Sequence, residues 1–154
     1  MNHLASMKAI LLEQETCCKS LVGLLQRERT HLIEFNAKAV EELAKEKDTF
    51  LLRLRLLEEE RQRLASAVAG ELPGLREGEV TLRVLAERTG DAELLAIRLK
   101  LVSLVQSIED LNGFNRHLID RSLNSVRTAT GFFNAFGSQG PEPAQSGRLL
   151  SREM

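Results

Sequence analysis

The side chains with chemical potential in this chain are three histidines, His3, His31 and His117, the pair Cys17-Cys18, and a set of carboxylates. A metal centre would need His, Cys or carboxylate donors converging at short helical spacing. The histidines are far apart in sequence, and none has a cysteine or second histidine at ligand distance. His117 and Asp120 are simply neighbours on a helix face. No HExxH, Gly-rich phosphate loop or nucleophile elbow occurs. The carboxylates stand among Arg and Lys, whereas a raised catalytic pKa needs burial away from such partners. Cys17 and Cys18 would point about 100° apart on a helix and cannot bridge. Cys18 falls on an apolar row, so it reads as a small buried thiol in a reducing compartment. The expectation is a protein that is not an enzyme and uses no cofactor or metal.

Other polar and aromatic residues stand out by position. Asn112 and Asn115 lie on a seam that is otherwise aliphatic. An Asn there fixes helix register if paired, meets a bound partner, or faces solvent. Lys47 and Arg61 also fall on seam positions, where long stems either cover apolar surface while the charge reaches water or pair with a carboxylate of a bound client. Phe132, Phe133 and Phe136 cluster near the end of the last apolar pattern. They read either as core closing a bundle end or as an exposed anchor for a partner.

The elements that must position these residues follow from periodicity. Leu4, Leu11, Cys18, Leu25 and Leu32 recur seven apart, with Met7, Leu21 and Phe35 at companion positions. After a step of eleven, Leu43, Phe50, Leu57 and Leu64 continue the row, with Val40, Leu54 and Val68 beside them. No proline precedes Pro73, so one helix from Asn2 to Ala69 is allowed, capped by Asn2 or Ser6 and straightened or kinked near Phe35 to Lys38. Gly70 to Gly78 reads as a loop, Glu79 to Arg88 as a short helix, and Thr89-Gly90-Asp91 as a break with Asp91 as the next cap. A further long helix runs from Asp91 to Phe136, with Leu94, Leu101 and Ile108 on one row and Ile97, Leu104, Leu111 and Leu118 on its neighbour. Gly137 stops it.

The fold class predicted is all-α: an elongated antiparallel bundle of two long helices plus one short one, or four helices if the first breaks near Phe35. Residues 1–137 form one helical domain and 138–154 a flexible tail rich in Gly, Pro, Ser and Gln. Arms of about 68 and 46 residues leave about 20 residues of overhang, or about 30 Å. That overhang needs a cover: the short helix, a second copy, or a client helix.

Composition agrees. Hydrophobic residues make up 43%, charged residues 28% and aromatic residues 4%, which is the balance of long helices rather than of sheets. A formal net charge of −1 with both signs interspersed removes the basic stripe that nucleic acid or an anionic membrane would attract. Neither a signal peptide nor a membrane span is read from the pattern, so a cytoplasmic location is expected.

The stretch Leu24-Leu25, Glu28-Arg29 and Leu32, then Leu43, Lys47, Leu51, Leu54, Glu60-Arg61 and Leu64, and above all LNGFNRHLIDRSL, resembles the FlgN-type flagellar export chaperones. The resemblance covers roughly Leu21 to Phe136. It implies an all-helical protein that binds the helical ends of hook-filament junction proteins, blocks their premature polymerisation and delivers them to the flagellar export apparatus. It implies client contacts at Leu111, Asn112, Asn115, Leu118, Ile119, Ser122, Leu123 and Val126. Members often carry a Tyr-containing aromatic motif beyond the last helix. This chain has no Tyr, which leaves Phe132, Phe133 and Phe136 as the nearest aromatics. The alternative is a coiled-coil scaffold that dimerises through its first helix and has no exported client.

Overall fold

The long proline-free run does not stay one helix. In the computed structural model, which describes residues 3–74 and 81–135, it divides into α1 (His3–Ile33) and α2 (Ala37–Glu71); α3 (Leu82–Thr89) and α4 (Ala92–Ala135) follow. No strand occurs among the described residues, so the protein is all-α and the four-helix form of the predicted bundle is the one adopted.

The reversal between α1 and α2 is built by two residues. Phe35 takes a left-handed conformation with φ of 56°. This lets its own N–H donate to the Leu32 carbonyl at 3.3 Å and the Asn36 N–H donate to the His31 carbonyl at 2.9 Å. The last carbonyls of α1 are thereby satisfied. Asn36 then caps α2, its Oδ1 accepting from the Ala39 N–H at 3.2 Å. The surplus in the eleven-residue step from Leu32 to Leu43 is spent on turning the chain back rather than on unwinding a rod. The expected overhang does not arise, because the arm that would have carried it is folded on itself. A Phe at the left-handed position costs about 1–2 kcal/mol relative to glycine, and its ring is 75% exposed rather than packed at a seam position.

Contacts divide the chain into two compact units. One comprises Met1–Gly23 and Lys47–Ile108, the other Leu24–Glu46 and Glu109–Met154. In the first, α1 and α2 run antiparallel, with His3 Nδ1 2.6 Å from Glu71 and Gln14 donating to Glu58 at 3.1 Å. There α4 runs parallel to α1: Lys8 Nζ meets Asp91 at 2.6 Å, and Lys100 lies 3.9 Å from Glu15. The core joins Met7 and Leu11 of α1, Leu64, Ala65 and Val68 of α2, Leu85 and Ala86 of α3, and Leu94 and Ile97 of α4. Met7, Leu11, Leu85 and Leu94 are each fully buried, and burying such a side chain contributes about 1.5–3 kcal/mol. Helix α3 is thus a lid on this core. Thr81 caps its start by accepting from the Val84 N–H, and Gly90 at φ 64° ends it. It begins later than Glu79, which lies outside the described residues.

Asp91 caps α4 as expected, accepting from the N–H groups of Glu93 at 3.0 Å and Leu94 at 3.1 Å. Ser6 lies inside α1 and caps nothing; Asn2, Gly137 and the segment 138–154 lie outside the described residues. Lys47 does not extend to water but is buried, and Arg61 turns back onto Glu58 with Nε 2.7 Å from its carboxylate. In the second unit, Leu32, Val40 and Ile119 form a small core, with Leu118 and Leu123 packed partly against it.

Candidate functional site

In the second unit, α4 presents two faces that the sequence pattern merged into one. The inward face is anchored by Asn115, which is completely buried. Its Nδ2 donates to the Leu25 carbonyl at 3.0 Å and to Glu28 Oε1 at 2.8 Å, while its Oδ1 meets no donor among the described residues. A hydrogen bond contributes about 0.5–1.5 kcal/mol net and leaving its buried partner unsatisfied costs about 1–3 kcal/mol, so these contacts fix the register of α4 on α1. Ile119 follows one turn later, 2% exposed against Leu32 and Val40. Leu111, Asn112 and Leu118 are half-buried on the same side.

Beyond Ile119 the helix emerges. Ser122 is half-buried, its hydroxyl donating to the Leu118 carbonyl at 3.0 Å, and Leu123 is half-buried beside the small core. Val126 is 47% exposed. Phe132 and Phe133 pack edge to face with centroids 6.1 Å apart, both are largely exposed, and neither belongs to an apolar cluster of the described residues. Phe136 lies outside the described residues.

Between this part of α4 and the α1–α2 turn runs an apolar groove of about 410 Å³. Leu32, Phe35 and Val40 line one wall; Ser122, Val126 and Ala129 line the other. Small side chains at Ser122, Ser125 and Ala129 let another backbone approach closely. The α4 wall carries no charged side chain, its lining residues being Ser122, Ser125, Val126 and Ala129. Sequence reasoning assigned Phe35 to the seam and missed it as a wall of this groove. The overlooked signal was Asn36, a helix-capping residue type in the middle of a presumed helix.

No group of His, Cys, Asp or Glu able to hold a metal occurs among the described residues. The cysteines are buried, and burial pushes both thiols above their ordinary pKa, with the Arg53 charge pulling Cys17 partly back. Such thiols are poor nucleophiles. What the site can do is receive the apolar face of a helix.

The FlgN protein family model matches residues 1–140. The chain belongs to the FlgN family. With that membership comes the role of a flagellar export chaperone. No curated protein and no solved structure matches the chain. In this FlgN protein the distinctive LNGFNRHLIDRSL segment lies wholly on α4. Its inward residues are those that hold α4 to α1, while its outward residues include Phe114, over whose ring the Arg29 guanidinium stands at 5.9 Å. No helix among the described residues is long and apolar enough to cross a membrane.

Proposed function

We propose that this FlgN protein acts in the cytoplasm, holds hook-filament junction proteins by an amphipathic helical end, keeps them from polymerising and hands them to the flagellar export apparatus. The observation that carries the reading is the apolar groove beside Val126, which no described residue fills, with Phe132 and Phe133 exposed on the same stretch of helix. The eight α4 residues divide their labour: Leu111, Asn112, Asn115, Leu118 and Ile119 hold the wall in place, and Ser122, Leu123 and Val126 meet the client. Four aliphatic client side chains would supply a gross interaction of about 10 kcal/mol. Association and helix ordering subtract several kcal/mol, leaving an affinity that permits release.

The scaffold alternative needs a free seam on the first helix. Leu11, Cys18, Leu25 and Leu32 are instead buried within the chain, which favours the chaperone reading over a coiled coil built on that seam. The test is calorimetric titration of the purified protein with junction proteins. Val126→Asp is expected to reduce affinity at least tenfold, and Glu59→Lys on an exposed face to leave it unchanged. Equal affinity in both folded variants would refute the assignment of this part of α4 as the binding wall.

A further inference from the structure

Among the described residues Phe35 alone sets a side chain on a left-handed backbone, at φ 56°. A large aromatic there is strained, and such strain persists only while the surroundings hold it. Packing does little to hold it, because the ring is 75% exposed and belongs to neither apolar cluster. Nothing in the covalent chain demands a turn either. No Gly or Pro occurs between Gly23 and Gly70. The step from Leu32 to Leu43 is about three helical turns, which would set both side chains on one face of an unbroken helix.

The pairing of α1 with α2 has a symmetry that a second copy can satisfy. His3 meets Glu71, Gln14 meets Glu58 and Arg27 meets Glu46, and the midpoints of these pairs fall at residues 36 and 37, at the turn itself. Leu32 and Val40, which share the small core, are spaced about the same point. Two chains with the turn opened into continuous helix, laid antiparallel about that point, would make each of these contacts twice.

We infer that Glu34-Phe35-Asn36 is a strained hinge through which two copies of this chain exchange α1, giving a dimer that keeps the interior contacts of the monomer and relaxes Phe35. Short strained connections favour such exchange. Joining two chains costs translational freedom, so the monomer holds at low concentration and mass action favours the dimer as concentration rises. Opening the turn also takes Phe35, Asn36 and Ala37 away from the groove beside Val126. On the client-holding reading above, on which this consequence rests, the exchanged dimer is a reserve form without a competent groove.

The test refolds the full chain at rising concentration and reads its mass by light scattering; the dimer fraction is expected to rise. Phe35→Gly relieves the strain of the monomer and weakens an unbroken helix, and it acts at both hinges of the dimer. About tenfold per hinge gives a rise of about a hundredfold in the dimer dissociation constant. Deletion of residues 33–36 keeps the apolar row in phase and leaves no turn, so it is expected to give a dimer at every concentration. Chains with Arg27→Cys and chains with Glu46→Cys, refolded together, are expected to join by a disulfide. The same chains refolded apart and then mixed are expected to stay separate.

A parent or a deletion variant that remains monomeric at every concentration would overturn the exchange. So would a dimer in which the Arg27→Cys and Glu46→Cys chains do not join, since that is a surface contact, or one that Phe35→Gly leaves unchanged. The isolated parent dimer is expected to bind the C-terminal helix of a junction protein about tenfold or more weakly than the monomer does. Equal binding would overturn the reserve role alone. Monomer binding that Val126→Asp leaves intact would remove the groove reading, and the exchange would stand.

Discussion

The carboxamide of Asn115 and the carboxylate of Glu28, 87 residues apart in sequence, meet at 2.8 Å in an interior where both side chains are at most 1% exposed. Asn115 also reaches the Leu25 carbonyl on the preceding turn of α1. The motif residue that most distinguishes this sequence from a generic long helix is thus spent on α1.

Truncating Asn115 should therefore destabilise out of proportion to its size, because a buried carboxylate loses a donor. Asn115→Ala is expected to cost about 2–4 kcal/mol. Asn115→Leu combined with Glu28→Leu should recover most of that loss, since a buried polar pair replaced by apolar residues is often neutral. Urea unfolding of Asn115→Leu, Glu28→Leu and the double variant, followed by circular dichroism, measures the coupling. Additive losses would show that the pair is not a unit.

Lys8 ties α1 to the cap of α4 through Asp91 at 2.6 Å and Glu93 at 3.2 Å. The hydrogen bond from Lys8, followed by that from the Leu94 N–H, holds Asp91 below its ordinary pKa, and the same carboxylates hold Lys8 above its own. The depressed Asp91 contributes stability above its ordinary value and loses it as pH falls through the folded value. The raised Lys8 contributes below its ordinary value and loses it as pH rises through the folded one. The difference in urea midpoint between the parent and Lys8→Met is expected to be flat from about pH 5 to 9 and to shrink on the acid side. A difference that grows on acidification would contradict the pairing.

Gly23 sits inside α1 with nothing within 4 Å of the place where a Cβ would stand. Gly23→Ala should stabilise by about 0.5–1 kcal/mol through helix propensity alone. A chain of this length would then melt about 2–4 °C higher by scanning calorimetry.

Helix α3 earns its place as a lid through Leu85, which is fully buried among Met7, Leu64 and Leu94. Leu85→Ala should cost about 2–5 kcal/mol. Leu99→Ala, at a side chain 56% exposed on α4, should stay within about 0.5 kcal/mol. Similar losses in the two variants, read from denaturant midpoints, would mean that α3 is not docked on the core.

The heptad rows translated into structure well. Leu11, Cys18, Leu25 and Leu32 face inward, as do Leu43, Leu57 and Leu64, because inward residues on one helix face must recur at the helical period wherever the partner lies. Thr89-Gly90-Asp91 was legible for a related reason, since capping chemistry acts within one turn. The turn at Phe35-Asn36 was not, because an aromatic is a poor signal for a left-handed residue and the step from Leu32 to Leu43 suits a continuous helix as well as a reversal. The site was legible only in part. The motif drew attention to α4, but periodicity could not say that Asn115 and Ile119 would be consumed internally while Val126 stayed bare.

By itself, then, the sequence determined that the chain is helical, which rows are apolar, where α3 gives way to the cap of α4 and which family the chain belongs to. These are properties of single helices and of local chemistry, carried by residues within a few turns of one another. Tertiary structure alone decided that the first arm reverses at Phe35, that Asn115 pairs with Glu28, and that one apolar stretch of α4 is left beside an open groove. Each of those depends on which faces meet across long separations in sequence, and the seven-residue spacing within a helix is blind to that choice.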